Sequence, residues 1–324
     1  MLEKIKKLFS SKSELQICRD ETFDYEDNQE HFVGSHFDAF YDDMEQDIMM
    51  KIPEFIEDAK AIKPYENIMI KDEPKNDIKW LDGYITISPK KEQDDYIGVV
   101  FGKVPSEDNV QLISMFPCLA YGSEYTLSLE KVFVWSNGHE AQIEVDLGFT
   151  TINFYDTNYT LNRKWYLKDN KYTFQIMGIA YRCEPRVEKE IEVDPKPEVA
   201  EALGLSENTK KRTISLEGMS SFIPISDWDR DDYSFSGIIQ EIYEVYINML
   251  NEKVWICSTR VLRSGGDTDD ELIYDIDILV TSKTWKGNNI PQKGDDIEGS
   301  VWMQGKLKEV YTAFDEALDN LTTH

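Results

Sequence analysis

Apolar and polar residues alternate strictly through much of this chain. Tyr84, Thr86 and Ser88 interleave with Ile85 and Ile87, and Tyr96–Val104 is dense in Val, Ile and Phe. The segments 125–135, 141–147, 149–155 and 171–182 read the same way. A period of two predicts half-buried strands, and Ser136-Asn137-Gly138 and Lys168-Asp169-Asn170 supply the turns between them. The alternation lapses over 186–214, which carries prolines, dense charge and little aromatic content, and this predicts a linker. It resumes with a hairpin: Val254, Ile256 and Ser258 alternate with Trp255, Cys257 and Thr259. After the loop RSGGDTDDE, Leu272, Tyr274, Ile276, Ile278 and Val280 form one apolar face. Residues 238–250 fit either period; the flanking strands and Gly237 favour a strand.

Three stretches follow a helical period instead. Phe37, Phe40, Tyr41, Met44 and Ile48 share one face within 36–62, where Pro53 suits the first turn of a second helix. Leu307, Val310, Tyr311, Phe314, Leu318 and Leu321 predict a C-terminal helix, and Leu2, Ile5 and Leu8 a short N-terminal one. The expected fold class is therefore α+β and β-rich. It comprises two small antiparallel barrel or sandwich modules with N-terminal helices and a C-terminal helix. The divisions fall at 1–62 (helical segment on the first module), 63–185 (first β-rich module), 186–214 (linker) and 215–324 (second β-rich module).

The two β-rich segments echo each other at an offset of roughly 125 residues. TTINFYD, an excursion and KDNKYTFQIMGIAY match YDIDILV, an excursion and KGDDIEGSVWMQGKL in character. With Gly237 early and Gly299 and Gly305 late, the arrangement resembles the OB-fold over 232–307 and 78–184. That resemblance implies oligonucleotide, oligosaccharide or protein binding, and is one of architecture only.

Composition narrows these options. The 324 residues hold 62 acidic and 35 basic side chains, a formal net charge of −27. Between Asp20 and Asp58 fourteen acids face one base, Lys51. Such a surface repels phosphate backbones, so binding to duplex nucleic acid is not expected. No run of apolar residues reaches the ~18 needed for a transmembrane segment, and the start has no secretory pattern. Cys18, Cys118, Cys183 and Cys257 are scattered, without the pairing of a zinc site or a disulfide framework. These features place the chain in the cytoplasm.

Candidate chemistry is sparse. SDWDRDDYS concentrates Asp227, Asp229, Asp231 and Asp232, but the helix–loop–helix calcium motif requires Gly and Glu where Asp232 and Ile238 stand. A solvated loop is expected there. His31 and His36 cannot share a helical face, and the histidines read as surface residues. No nucleophile elbow, P-loop or dinucleotide fingerprint occurs, so neither a catalytic residue nor a cofactor is assigned. Trp165, Tyr166, Trp285 and Trp302 are candidates for a stacking platform. Among them Trp285, flanked by Lys283 and Lys286, reads as the exposed one. The expected contact residues are thus Trp285, Lys283 and Lys286, with Asp42, Asp43 and Asp47 on the acidic segment. The function read from this pattern is non-enzymatic binding of a basic protein partner. Carbohydrate or single-stranded nucleic-acid binding in a groove is the alternative, and carboxylate-based catalysis a third reading.

Overall fold

The computed structural model describes residues 21–22, 33–43, 45–50, 60–62, 83–87, 95–103, 110–135, 140–159, 166, 170–193, 212–248, 250–264 and 272–308. Its strands in chain order are β1 (Glu21–Thr22), β2 (Lys60–Ile62), β3 (Gly83–Ile87), β4 (Asp95–Lys103), β5 (Val110–Leu119) and β6 (Ser123–Val134). They continue with β7 (Ala141–Asp146), β8 (Thr151–Asp156), β9 (Lys171–Pro185), β10 (Glu190–Val193) and β11 (Arg212–Ser215). The last five are β12 (Ser221–Pro224), β13 (Asp232–Ile247), β14 (Glu252–Ser264), β15 (Leu272–Val280) and β16 (Asp296–Leu307).

Ten strands form one mixed sheet in the order β1-β6-β7-β8-β16-β9-β15-β14-β13-β12. A separate sheet joins β2 to β5, and β10 pairs with β11 as a ribbon. Two further pairings, β6–β9 and β13–β16, fold the large sheet back on itself. One closed circuit runs β6-β7-β8-β16-β9, the other β13-β14-β15-β9-β16. Strands β9 and β16 therefore serve both. Each circuit has a single parallel junction, β8 with β16 and β15 with β9. The central ladder pairs Gly178 with Met303, and the separation of those two positions is 125 residues. Shifting by about that distance carries the Tyr155–Gln304 pair onto Leu279–Ile179. The internal repeat is thus a pseudo-twofold arrangement centred on β9 and β16.

This overturns the expected fold class. The two halves are not separate antiparallel barrel modules, because each contributes a strand to the other's circuit and the sheet is mixed. Nor do helices flank them: among the described residues the helical elements are a 3-10 helix, Val33–Ala39, and a π-helical turn, Glu45–Met49. The stripe of Phe37, Phe40 and Ile48 is buried as expected. However, a three-residue spacing suits a 3-10 turn as well as an α-helix. The helices expected from Pro53 onward, at the N-terminus and beyond Lys308 lie outside the described residues. So does most of the 186–214 linker, whose described ends form the β10–β11 ribbon with Glu190 opposite Ser215. No described helix is long and apolar enough to cross a membrane.

Packing explains the continuous buried runs within β9 and β16. Ile176, Ala180, Val301 and Met303 enter one core with Leu129, Val145, Phe154, Phe235 and Ile278. Met177, Ile179 and Trp302 enter the other with Phe37, Phe40, Ile48, Phe116 and Leu279. Strands buried on both faces read as continuous apolar runs. Gly299 is required where they cross: a Cβ there would lie 1.9 Å from the Arg182 carbonyl oxygen. The register shifts just beyond it, between Ser300 and Val301.

Candidate functional site

The loop between β15 and β16 is built by hydrogen bonds from its first residues. The Thr281 and Thr284 side chains bond each other's backbone N–H, and the Trp285 N–H donates to the Thr281 carbonyl at 3.0 Å. The loop is then tied to β9, since Cys183 N–H donates to Thr284 O and Lys286 N–H donates to Cys183 O. The Trp285 indole is half-buried, and its Nε1–H donates to the Asn289 carbonyl at 2.6 Å. Gly287 lies against the ring, where an added Cβ would come within 2.5 Å of indole carbon. Trp285 is consequently fixed in place.

Beside it is an open cleft of about 360 Å³, lined by Trp285, Asn288, Asn289 and Ile290 from the loop and by Asp295 and Asp296 at the start of β16. Arg186 and Lys189 close the other wall. The Arg186 side chain is buried, 3% exposed. Its Nη1 and Nη2 donate to the Leu216 and Met219 carbonyls at 2.7 and 2.9 Å, and its Nε faces Asp296 at 3.4 Å. Lys189 Nζ lies 3.9 Å from the same carboxylate. Neither oxygen of Asp296, whose side chain is 9% exposed, accepts a hydrogen bond.

Of the expected contact residues the structure brings together Lys283 and Asp42, while Trp285 alone lines the cleft. Lys283 Nζ donates to the Asp38 and Tyr41 carbonyls and pairs with Asp42 at 3.0 Å. Lys286 Nζ donates to the Lys283 carbonyl at 2.7 Å. Asp43 is exposed, its Oδ1 accepting from the Gln46 N–H, while Asp47 is half-buried. Lys308 pairs with Glu124. Lys283, Lys286 and Lys308 are therefore spent on internal contacts rather than aligned as a basic strip. Of the other aromatics, Trp302 and Tyr166 are buried, and Trp165 lies outside the described residues. Arg186, Asn288, Asn289 and Asp296 were not singled out from sequence. The run NNIPQKGDD after Trp285 is a signal for three of them, a polar loop at a sheet end.

A second polar cluster corrects two expectations. His36 is not a surface histidine: it is 1% exposed, stacks on Trp302 at 3.9 Å, and its Nδ1 meets the Tyr181 hydroxyl at 2.8 Å. His31, His139 and His324 lie outside the described residues. Asp231 and Asp232 are not in a solvated loop either, both being buried. Carboxylate oxygens of Asp229, Asp231 and Asp232 converge within 4.8 Å, a set able to hold a divalent cation. The protein itself satisfies much of it. Gln142 Nε2 and Trp302 Nε1 donate to the two Asp231 oxygens at 2.7 and 3.0 Å. Burial, then the charges of Asp231 and Asp229, pushes the Asp232 carboxyl up to about 8. A proton on Asp232 relieves the charge that a cation otherwise would. The thiols are no more reactive: Cys118, Cys183 and Cys257 are buried, and burial pushes Cys257 up to about 12.

No family model, no curated protein and no solved structure matches this chain.

Proposed function

We propose that the chain is a non-enzymatic binding protein whose partner is a protein carrying a basic segment. The observation that carries this reading is the way the acidic segment is mounted. Phe37, Phe40 and Ile48 are buried against the sheet, while Asp38, Asp42 and Asp43 face water. Lys283 fastens the backbone at Asp38 and Tyr41. The carboxylates are thus held in place before any partner arrives, which lowers the ordering cost of binding. The field of a chain with net charge −27 adds to the on-rate for a cationic partner. A reducing, cytoplasmic setting belongs to the same reading, supported by the burial of the described cysteines.

The test is fluorescence anisotropy with a labelled lysine-rich peptide and a glutamine-substituted control of equal length. Binding is expected to favour the lysine peptide, to weaken as salt is raised past the ~10 Å screening length of 0.1 M, and to fall in the Asp38→Asn/Asp43→Asn double variant. Equal affinity for both peptides, or no effect of the variant, removes the acidic segment as the contact surface.

A further inference from the structure

We infer that the cleft beside Trp285 binds a neutral saccharide. This goes beyond the protein-binding reading and needs no protein partner. Its volume of about 360 Å³ falls within the ~300–1,000 Å³ of small-molecule sites. The lining divides into two chemistries. Trp285 offers ring carbon only, because its one donor is already given to the Asn289 carbonyl, and Ile290 beside it is 58% exposed. The same cleft is lined by groups with unused hydrogen-bonding capacity. The Asp296 oxygens accept no hydrogen bond despite their burial, and the carboxamides of Asn288 and Asn289 are exposed. A sugar ring has the matching division, an apolar C–H face and a rim of hydroxyls that donate to carboxylates and exchange hydrogen bonds with amides.

Charge excludes the competitors. The lining itself holds two cationic side chains, Arg186 and Lys189, against two anionic ones, Asp295 and Asp296, with Glu298 3.8 Å from Arg186 Nε at its margin. Arg186 is a poor clamp for a phosphate or a carboxylate, because its side chain is 3% exposed and each terminal nitrogen already gives one N–H to a backbone carbonyl. The field of the whole molecule opposes anionic glycans and nucleic acid alike. What the site takes is therefore polar, uncharged and flat on one face.

The full chain is titrated with maltose, cellobiose and diacetylchitobiose, following tryptophan emission and heat, with a heparin disaccharide and oligo(dT) in parallel. At least one neutral disaccharide is expected to saturate, with an affinity that does not change on adding salt. Binding should weaken about tenfold or more in Trp285→Ala, as for loss of a stacking ring. It should also weaken several-fold in Asn288→Ala, an exposed position where the melting temperature should not move. No saturation by any of the three sugars overturns the assignment. So does unaltered binding in Asn288→Ala and Trp285→Ala together, which places the sugar elsewhere, or tighter, salt-sensitive binding of the heparin disaccharide or oligo(dT).

Discussion

Burial gives Asp156 a pH dependence whose effect can be measured. It is buried at the end of β8, accepting from the Tyr166 hydroxyl at 2.5 Å and from the Asn158 N–H at 2.9 Å. Burial raises its carboxyl from the usual 3.8 to about 7. The folded state therefore binds this proton more tightly than the unfolded chain. Its contribution to stability is fully present below about 4 and is lost as pH rises through 7. The slope between those limits approaches about 1.4 kcal/mol per pH unit. Asp156→Asn lacks this dependence, so its stability relative to wild type should improve between pH 5 and pH 8 in urea unfolding. An unchanged difference would mean that the carboxyl is already ionised at pH 5. At Gly287 the expectation is steric. A methyl group within 2.5 Å of the Trp285 ring must displace it, and Gly287→Ala should lower stability by about 1–3 kcal/mol. A melting temperature that does not move would show a loop free to yield. At this scale the sequence was informative where a residue's neighbours in the chain are also its neighbours in space. Trp285 stood out because the polar loop around it is local. His36 and Asp231 were read as exposed, since Trp302, Tyr181 and Gln142, which bury and bond them, are far away in sequence.

At the scale of elements, alternation predicted most strands, including the hairpin now seen as β14 and β15 with Cys257 opposite Ile278. Over 238–250 alternation was ambiguous, and Gly237 and the flanking strands favoured the strand, most of which lies in β13. It missed β5, whose pattern is broken by Pro117, a residue tolerated because β5 ends the order of its sheet. Alternation assigns a face to each side chain but names no partner strand. Nothing in QIMGIA or VWMQG said that they would lie together, or that both of their faces would be covered. That double burial gives a direct expectation. Trp302 is fully buried between Tyr155 and His36, and Trp302→Ala should cost about 3–5 kcal/mol. Because β16 completes both circuits, the loss should appear as one cooperative unfolding transition shifted as a whole. Two separate transitions, in calorimetry of the wild type or the variant, would show that the halves are stable independently.

Across the whole molecule, charge dominates interactions with the surroundings. The described acids at 38, 42 and 43 face water, and the lysines nearest to Trp285 are engaged internally. Random-sequence duplex DNA is therefore not expected to shift in a mobility assay at ~150 mM salt. Sub-micromolar binding would require a basic surface formed by other parts of the chain. The shared strands also set a condition on biosynthesis. A ribosome releases β6 through β15 before the strand that seals both circuits exists. During that interval the nascent sheet presents unpaired edges and a bare apolar face where β16 will lie. The chain is thus at its most vulnerable to aggregation late in translation, and a pause placed just before residue 296 should increase its dependence on ribosome-associated chaperones.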